Sequence, residues 1–248
     1  MRVSSLVILV LLLAGAGYIF LIRPPWVQNL WREHVKGYAR ASTPTEAVDR
    51  FLKAVKARDL ESAATYCNSE YAALLKRGAA ANAEMGAVID NILEYGNNSG
   101  LATDKCIIFL SYLDAFPTNI KMTAAPKEKG DTAVAVCQLE VQGIKGDIKD
   151  LQGFFSDLQS VDSRMFTRAL MSPALIHPRG FELVKEGDAW KLKIPVPDAQ
   201  IQAADYYISN YKAYHTGLTV FRRDVTNERY ASKTEFEREL LEVLQEAK

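Results

Sequence analysis

Few residues in this chain have the type and spacing to do chemistry, and they are scattered. Asp114, directly after Leu113, reads first as a turn residue at a strand end, a common role for Asp, and second as a general base of shifted pKa. His177, between Ile176 and Pro178, is a loop histidine. His34 and His215 fall in separate helical segments with no His-x-x-x-His or His-Glu pairing, so neither catalytic nor structural metal is expected, and no cofactor is expected. Cys67, Cys106 and Cys137 are an odd, widely spaced set among apolar neighbours and read as small buried hydrophobes, with a Cys106–Cys137 bridge between neighbouring strands as the alternative. Gly143-Ile144-Lys145-Gly146 lacks the Gly-Lys-Ser/Thr ending of a phosphate loop and reads as a turn. Asn97-Asn98-Ser99 matches a glycosylation acceptor, a pattern too short to carry weight alone.

The elements that must position these residues are clearer. Thr43-Pro44-Thr45-Glu46 is a capping box with Pro at the first helical position, and Ala47, Val48, Phe51, Leu52 and Val55 give that helix one buried face. Short helices follow over Asp59–Cys67 and Glu70–Lys76, then a third from about Ala80 to Tyr95, ended by the turn cluster Gly96–Gly100. Lys105–Leu113, rich in Ile, Phe and Tyr, is predicted as the first strand. Asn119–Ala124 and Thr132–Val141 are predicted as a hairpin joined at Pro126–Asp131, the second strand alternating through Val134 and Val136, with a bulge suggested by Leu139 and Val141. Residues 144–172 read as a helical insertion. Phe181–Lys185 and Ala189–Ile194 then form a hairpin around Glu186-Gly187-Asp188. Residues 198–216 carry Ile201, Ala204, Ile208, Tyr211 and His215 on one helical stripe with Tyr207 and Tyr214 beside it. A last helix opens with a second capping box, Ser232 to Glu235, and repeats Phe236, Leu240, Val243 and Leu244.

Residues 3–22 carry no charge, and about 20 residues suffice to cross a hydrocarbon core of roughly 30 Å. An uncleaved single-pass anchor over 1–23 is the expectation, since Tyr18–Ile22 continues the apolar run past the small residues Ala14-Gly15-Ala16 at which a signal peptide would be cut. Cleavage after Ala16 is the alternative. Residues 24–42 follow as a juxtamembrane amphipathic helix, with Trp26 and Trp31 as membrane-interface anchors. Arg23, Arg32, Lys36 and Arg40 would by the positive-inside rule keep the large domain cytoplasmic, whereas the very short amino-terminal tail points to export, which is the expectation taken.

The 30 basic and 30 acidic residues balance, so no global field draws the chain to nucleic acid. Beyond the anchor lies enough chain for one sizeable core with additions.

The capped helix Thr-Pro-Thr-Glu-Ala-Val with Phe-Leu-Lys-Ala, then Arg-Asp-Leu-Glu-Ser-Ala-Ala, and finally Phe-Glu-Leu-Val-Lys-Glu-Gly-Asp-Ala-Trp-Lys-Leu resembles the NTF2-like superfamily, most nearly its bacterial membrane-tethered branches of unknown function. The resemblance covers 43–197, interrupted at 144–172, and leaves 198–248 as a helical arm. It implies an α+β cone, a curved antiparallel sheet around helices, with a pocket for which Tyr66, Tyr71, Tyr95, Asp114 and Trp190 are candidates. The superfamily's isomerase and dehydratase enzymes use a carboxylate or His beside Tyr donors, but no residue here matches such a motif position by position, and the fold alone names no activity. The expectation is a membrane-anchored, non-catalytic binding or assembly module; the alternative is a small-molecule carrier or isomerase-type enzyme. The arm is expected first to pack back on the domain and second to offer a protein-partner or self-association surface through Tyr207, Tyr211, Tyr214, Phe236, Leu240 and Leu244.

Overall fold

Helix α1, Pro44–Lys56, begins as its cap dictates: Glu46 N donates to Thr43 Oγ1 at 3.2 Å. The Glu46 carboxylate reaches one residue further back than a capping box requires and accepts from Ser42 N and Ser42 Oγ. The structure is a computed structural model that describes residues 40–116, 118–139, 165, 169–170, 181–227 and 230–247. The expected anchor, the juxtamembrane helix with Trp26 and Trp31, most of the 144–172 insertion, His34 and His177 lie outside the described residues. Among the described residues no helix is long and apolar enough to cross a membrane.

The described chain is mixed α+β, with residues 41–248 forming one unit. After α1 come α2, Leu60–Ala63, a 3-10 turn, Ala64–Tyr66, then α3, Ser69–Asn98, and α4, Asp104–Leu113. Four strands follow, β1 Ile120–Lys129, β2 Thr132–Leu139, β3 Phe181–Glu186 and β4 Ala189–Lys193, and two closing helices, α5 Asp198–Thr226 and α6 Lys233–Glu246. The sheet is an open antiparallel meander in the order β1-β2-β3-β4, with α1 lying against it. Both hairpins turn on the same dipeptide, Gly130-Asp131 and Gly187-Asp188. Each glycine has φ near 60° while the Asp does not, the pattern of a type II′ turn whose twist suits the flanking strands.

Four expectations are corrected. Lys105–Leu113 is not a strand but most of helix α4. Thr103 Oγ1 accepts from Cys106 N, Asp104 sits in the first turn, and Cys106, Phe109, Leu110 and Leu113 fall on one buried face, a spacing that a short apolar run hides. The two helices expected over 70–95 are one. α3 runs straight through Gly78, which is there because a Cβ would come within 2.3 Å of Leu170. In β2 the core face is Ala133, Ala135 and Cys137, while Val134 is 42 % exposed: small residues let α1 lie close to the sheet. The hairpin loop is shorter than Pro126–Asp131, because β1 extends to Lys129. Pro126 is tolerated on this edge strand, where the register shifts between Ala124 and Lys127; Val141, at which a bulge is expected, lies outside the described residues.

The C-terminal helices complete the core. α5 extends ten residues past the expected 216 and buries Gln200, Ala204, Tyr207, Tyr211, Tyr214, Leu218, Phe221 and Val225, a strict 4-3 alternation of heptad type that is turned slightly from the stripe through Ile201 and Ile208. It packs along α3, and the pairs Arg77–Asp205 and Tyr211–Glu84 show the two helices running in the same direction. α6 starts at the expected cap, with Glu235 N donating to Ser232 Oγ and Ala231 N to the Glu235 carboxylate. Phe236 then packs edge-on to Phe221 and Tyr230 with ring centroids at 5.0 and 5.7 Å. Phe236→Ala is expected to cost about 3–5 kcal/mol, since it empties a fully buried aromatic site; urea unfolding of the full chain measures it.

Candidate functional site

Among the described residues, Arg58 joins one buried and one exposed carboxylate. α1 ends in a Schellman arrangement, with Arg58 N donating to Val55 O and Asp59 N to Ala54 O. This puts Arg58 at φ 56°, the left-handed position where glycine is usual. A non-glycine residue held there bears strain, which is tolerable where its side chain is needed. The Arg58 side chain, 10 % exposed, crosses α3 at Gly86, where a Cβ would lie 2.1 Å from Nη1. From there Nε and Nη2 donate to both carboxylate oxygens of Asp90 at 2.8 and 2.7 Å, and Nη1 donates to Asp114 at 3.1 Å.

Asp114 lies just past α4, and its Oδ1 also accepts from Phe116 N at 3.2 Å, so the turn role expected of it is real, though at a helix end. Its side chain is 7 % exposed. Burial pushes the carboxyl up to about 6, and the charge and hydrogen bond of Arg58 offset only part of that. On Arg58 burial works against the charge, yet the bonds to Asp90 and the proximity of Asp114 prevail and hold its pKa above the usual value. Two tyrosines stand near. The Tyr207 hydroxyl donates to Leu113 O at 3.1 Å, and burial together with the Asp114 charge raises its pKa. The Tyr71 hydroxyl donates to Leu170 O at 3.0 Å, and Leu170 N in turn donates to Ala115 O.

The five pocket candidates therefore divide. Tyr71 and Asp114 share the neighbourhood of the Asp114–Phe116 loop through Leu170. Tyr66 and Trp190 are buried beside the β-bridge between Cys67 and Leu192 of β4. Tyr95 is 24 residues along α3 from Tyr71, about 36 Å at helical rise, so the two cannot line one pocket. The six arm residues proposed as a partner surface, Tyr207, Tyr211, Tyr214, Phe236, Leu240 and Leu244, are all buried within the chain: α5 packs on α3 and α6 on α5, as the first expectation for the arm had it. Neither Arg58 nor Asp90 was singled out from sequence. The available signal was a helix end, Lys56-Ala57-Arg58-Asp59, with no glycine at its C-terminal cap.

The cysteines are free and buried, which replaces the bridge alternative: Cys106 is on helix α4 and Cys137 on β2. Burial raises all three thiols, that of Cys137 to about 12, leaving them protonated and unreactive near neutral pH. Among the described residues no group of three His, Cys, Asp or Glu could hold a metal ion.

Two outcomes follow from the clamp. Arg58→Met is expected to cost about 3–5 kcal/mol in chemical denaturation, since it leaves the Asp114 carboxylate buried without its counter-charge. The Asp114 carboxyl titrates at about 6 in the folded chain and near ~3.9 when unfolded, so the stability it contributes is fully present below pH ~4 and lost as pH rises through about 6. Relative to Asp114→Asn, the unmodified chain should lose stability between pH 5 and 7.5; a constant difference across that range would contradict the assignment.

Compared with protein-family models, with curated proteins and with solved structures, the chain matches none.

Proposed function

We propose that the chain is a membrane-anchored, non-catalytic binding or assembly module built on an NTF2-like domain, held by its apolar amino-terminal segment with the domain on the extracytoplasmic side. The observation that carries the non-catalytic reading is that the charged and tyrosyl side chains of this cluster are already engaged. Arg58 is shared between two carboxylates, and the Tyr71 and Tyr207 hydroxyls are donated to backbone carbonyls. Such a cluster ties elements together and presents no base with a donor opposite it across an open cleft, the arrangement that an isomerase of this superfamily would require. The capped α1 lying on an antiparallel sheet supports the superfamily, and the uncharged run of 3–22 supports the anchor.

With the aromatic stripes of α5 and α6 buried, a partner contact falls to the polar outer surface rather than to those six side chains. Affinity purification of the full-length protein in mild detergent, followed by native mass and identification of co-purifying chains, tests the proposal. A stoichiometric protein partner or a defined homo-oligomer is expected. A lone chain carrying a bound small organic molecule would overturn it in favour of the carrier alternative.

A further inference from the structure

Among the described residues, one polar group beside the clamp has no partner. Asn82 is 1 % exposed, and neither its Nδ2 nor its Oδ1 makes a hydrogen bond. On α3 it stands one turn from Gly78 and one turn from Gly86, so the three form a single ridge. Leu170 presses on the backbone at Gly78, and the Arg58 guanidinium does so at Gly86. These two covers are about 12 Å apart along the helix axis. Both are fastened to consecutive residues of one loop: Leu170 N donates to Ala115 O at 3.1 Å, and Arg58 Nη1 to Asp114 Oδ1 at 3.1 Å. The loop after α4 is therefore tied to the covers on both sides of Asn82. Polar groups of that loop are already engaged, Leu113 O by Tyr207, Asp114 Oδ1 by Phe116 N and Ala115 O by Leu170 N, and none serves the Asn82 amide.

We propose that Asn82 anchors an internal site holding one small, uncharged molecule that both donates and accepts hydrogen bonds, between Leu170 and the Arg58 clamp. The guest must do both because the amide offers an N–H donor and a carbonyl acceptor. It is uncharged because Asn82 brings no charge of its own and Arg58, the nearby cation, is already shared between Asp90 and Asp114, so an ion bound to the amide would be buried without a counter-charge there. It is small because the side-chain space that the two glycines vacate is taken by Leu170 and Arg58. Water, which commonly serves buried polar groups with about three hydrogen bonds, belongs to this class, and so do small amides and alcohols. The site does not depend on the function proposed above.

The test compares the full chain with Asn82→Leu, which keeps the side-chain volume and removes both polar atoms. Oxygen-17 relaxation dispersion counts long-lived internal waters, and extraction of the folded protein followed by mass spectrometry finds organic guests. The expected result is the loss in Asn82→Leu of one long-lived water, or of one organic molecule released at about one per chain from the unmodified protein; the two arms distinguish solvent from an acquired ligand. An equal water count with no organic guest in either protein would overturn the proposal. Should Asn82→Leu not fold, a crystal structure of the unmodified chain decides the matter: density within hydrogen-bond distance of both Nδ2 and Oδ1 sustains the site, and its absence there, or a protein partner for the amide, removes it.

Discussion

The guanidinium of Arg58 is the interaction on which the interior depends. A single side chain joins the end of α1, the middle of α3 and the end of α4, three elements whose remaining contacts are largely apolar and therefore indifferent to small slides. A bidentate bond to Asp90 fixes the distance and the orientation together. The cost is visible in three places: a left-handed backbone at a residue other than glycine, a helix-interior glycine at position 86 to let the guanidinium through, and a carboxylate at position 114 whose burial its partner offsets only in part. Replacing such a cluster by well-packed apolar groups is often neutral for stability, so its contribution here is to geometry more than to net free energy.

Around this point the architecture divides its labour. The sheet is a short-looped meander, and α1 covers it closely because the inner face of β2 is Ala133, Ala135 and Cys137. The other half is helical. α3 lies along α5, whose buried residues repeat in heptad fashion, and the aromatic group Phe221, Tyr230 and Phe236 closes the end where α6 turns back. The tyrosines of α5 have the shape of an interface and the burial of a core. Their hydroxyls explain the choice over Phe, since Tyr207 reaches the backbone at Leu113 and Tyr211 reaches Glu84.

What could be read from the residues was what is local. The caps at Thr43 and Ser232 and the Gly-Asp hairpin turn at 187–188 are decided within a few residues, and the structure has them where the pattern put them. Lys105–Leu113 failed because a nine-residue apolar run has the length of a strand and the composition of either element, and only the cap at Thr103 broke the tie. The gap expected between Lys76 and Ala80 holds Gly78, whose reason, the side chain of Leu170, lies 92 positions away. The clamp was illegible for the same cause: Arg58, Asp90 and Asp114 are ordinary surface residue types, and nothing local says that Arg58 joins an exposed Asp90 to a buried Asp114. The split of the five pocket candidates follows from the unbroken α3, which carries Tyr71 and Tyr95 too far apart to cooperate.

The partnership of α3 with α5 also bears on the order of assembly. The face of α3 that receives α5 belongs to residues near the start of the domain, while its cover is supplied some 130 positions later, as the bond between Glu84 and Tyr211 records. A ribosome or a translocation channel delivers the chain from the other end, so for most of synthesis this long helix has no complete nest to settle in. Contacts of such sequence separation slow the search for the native state and leave apolar surface uncovered in the meantime. Until α5 has emerged, the face of α3 that it buries stays uncovered.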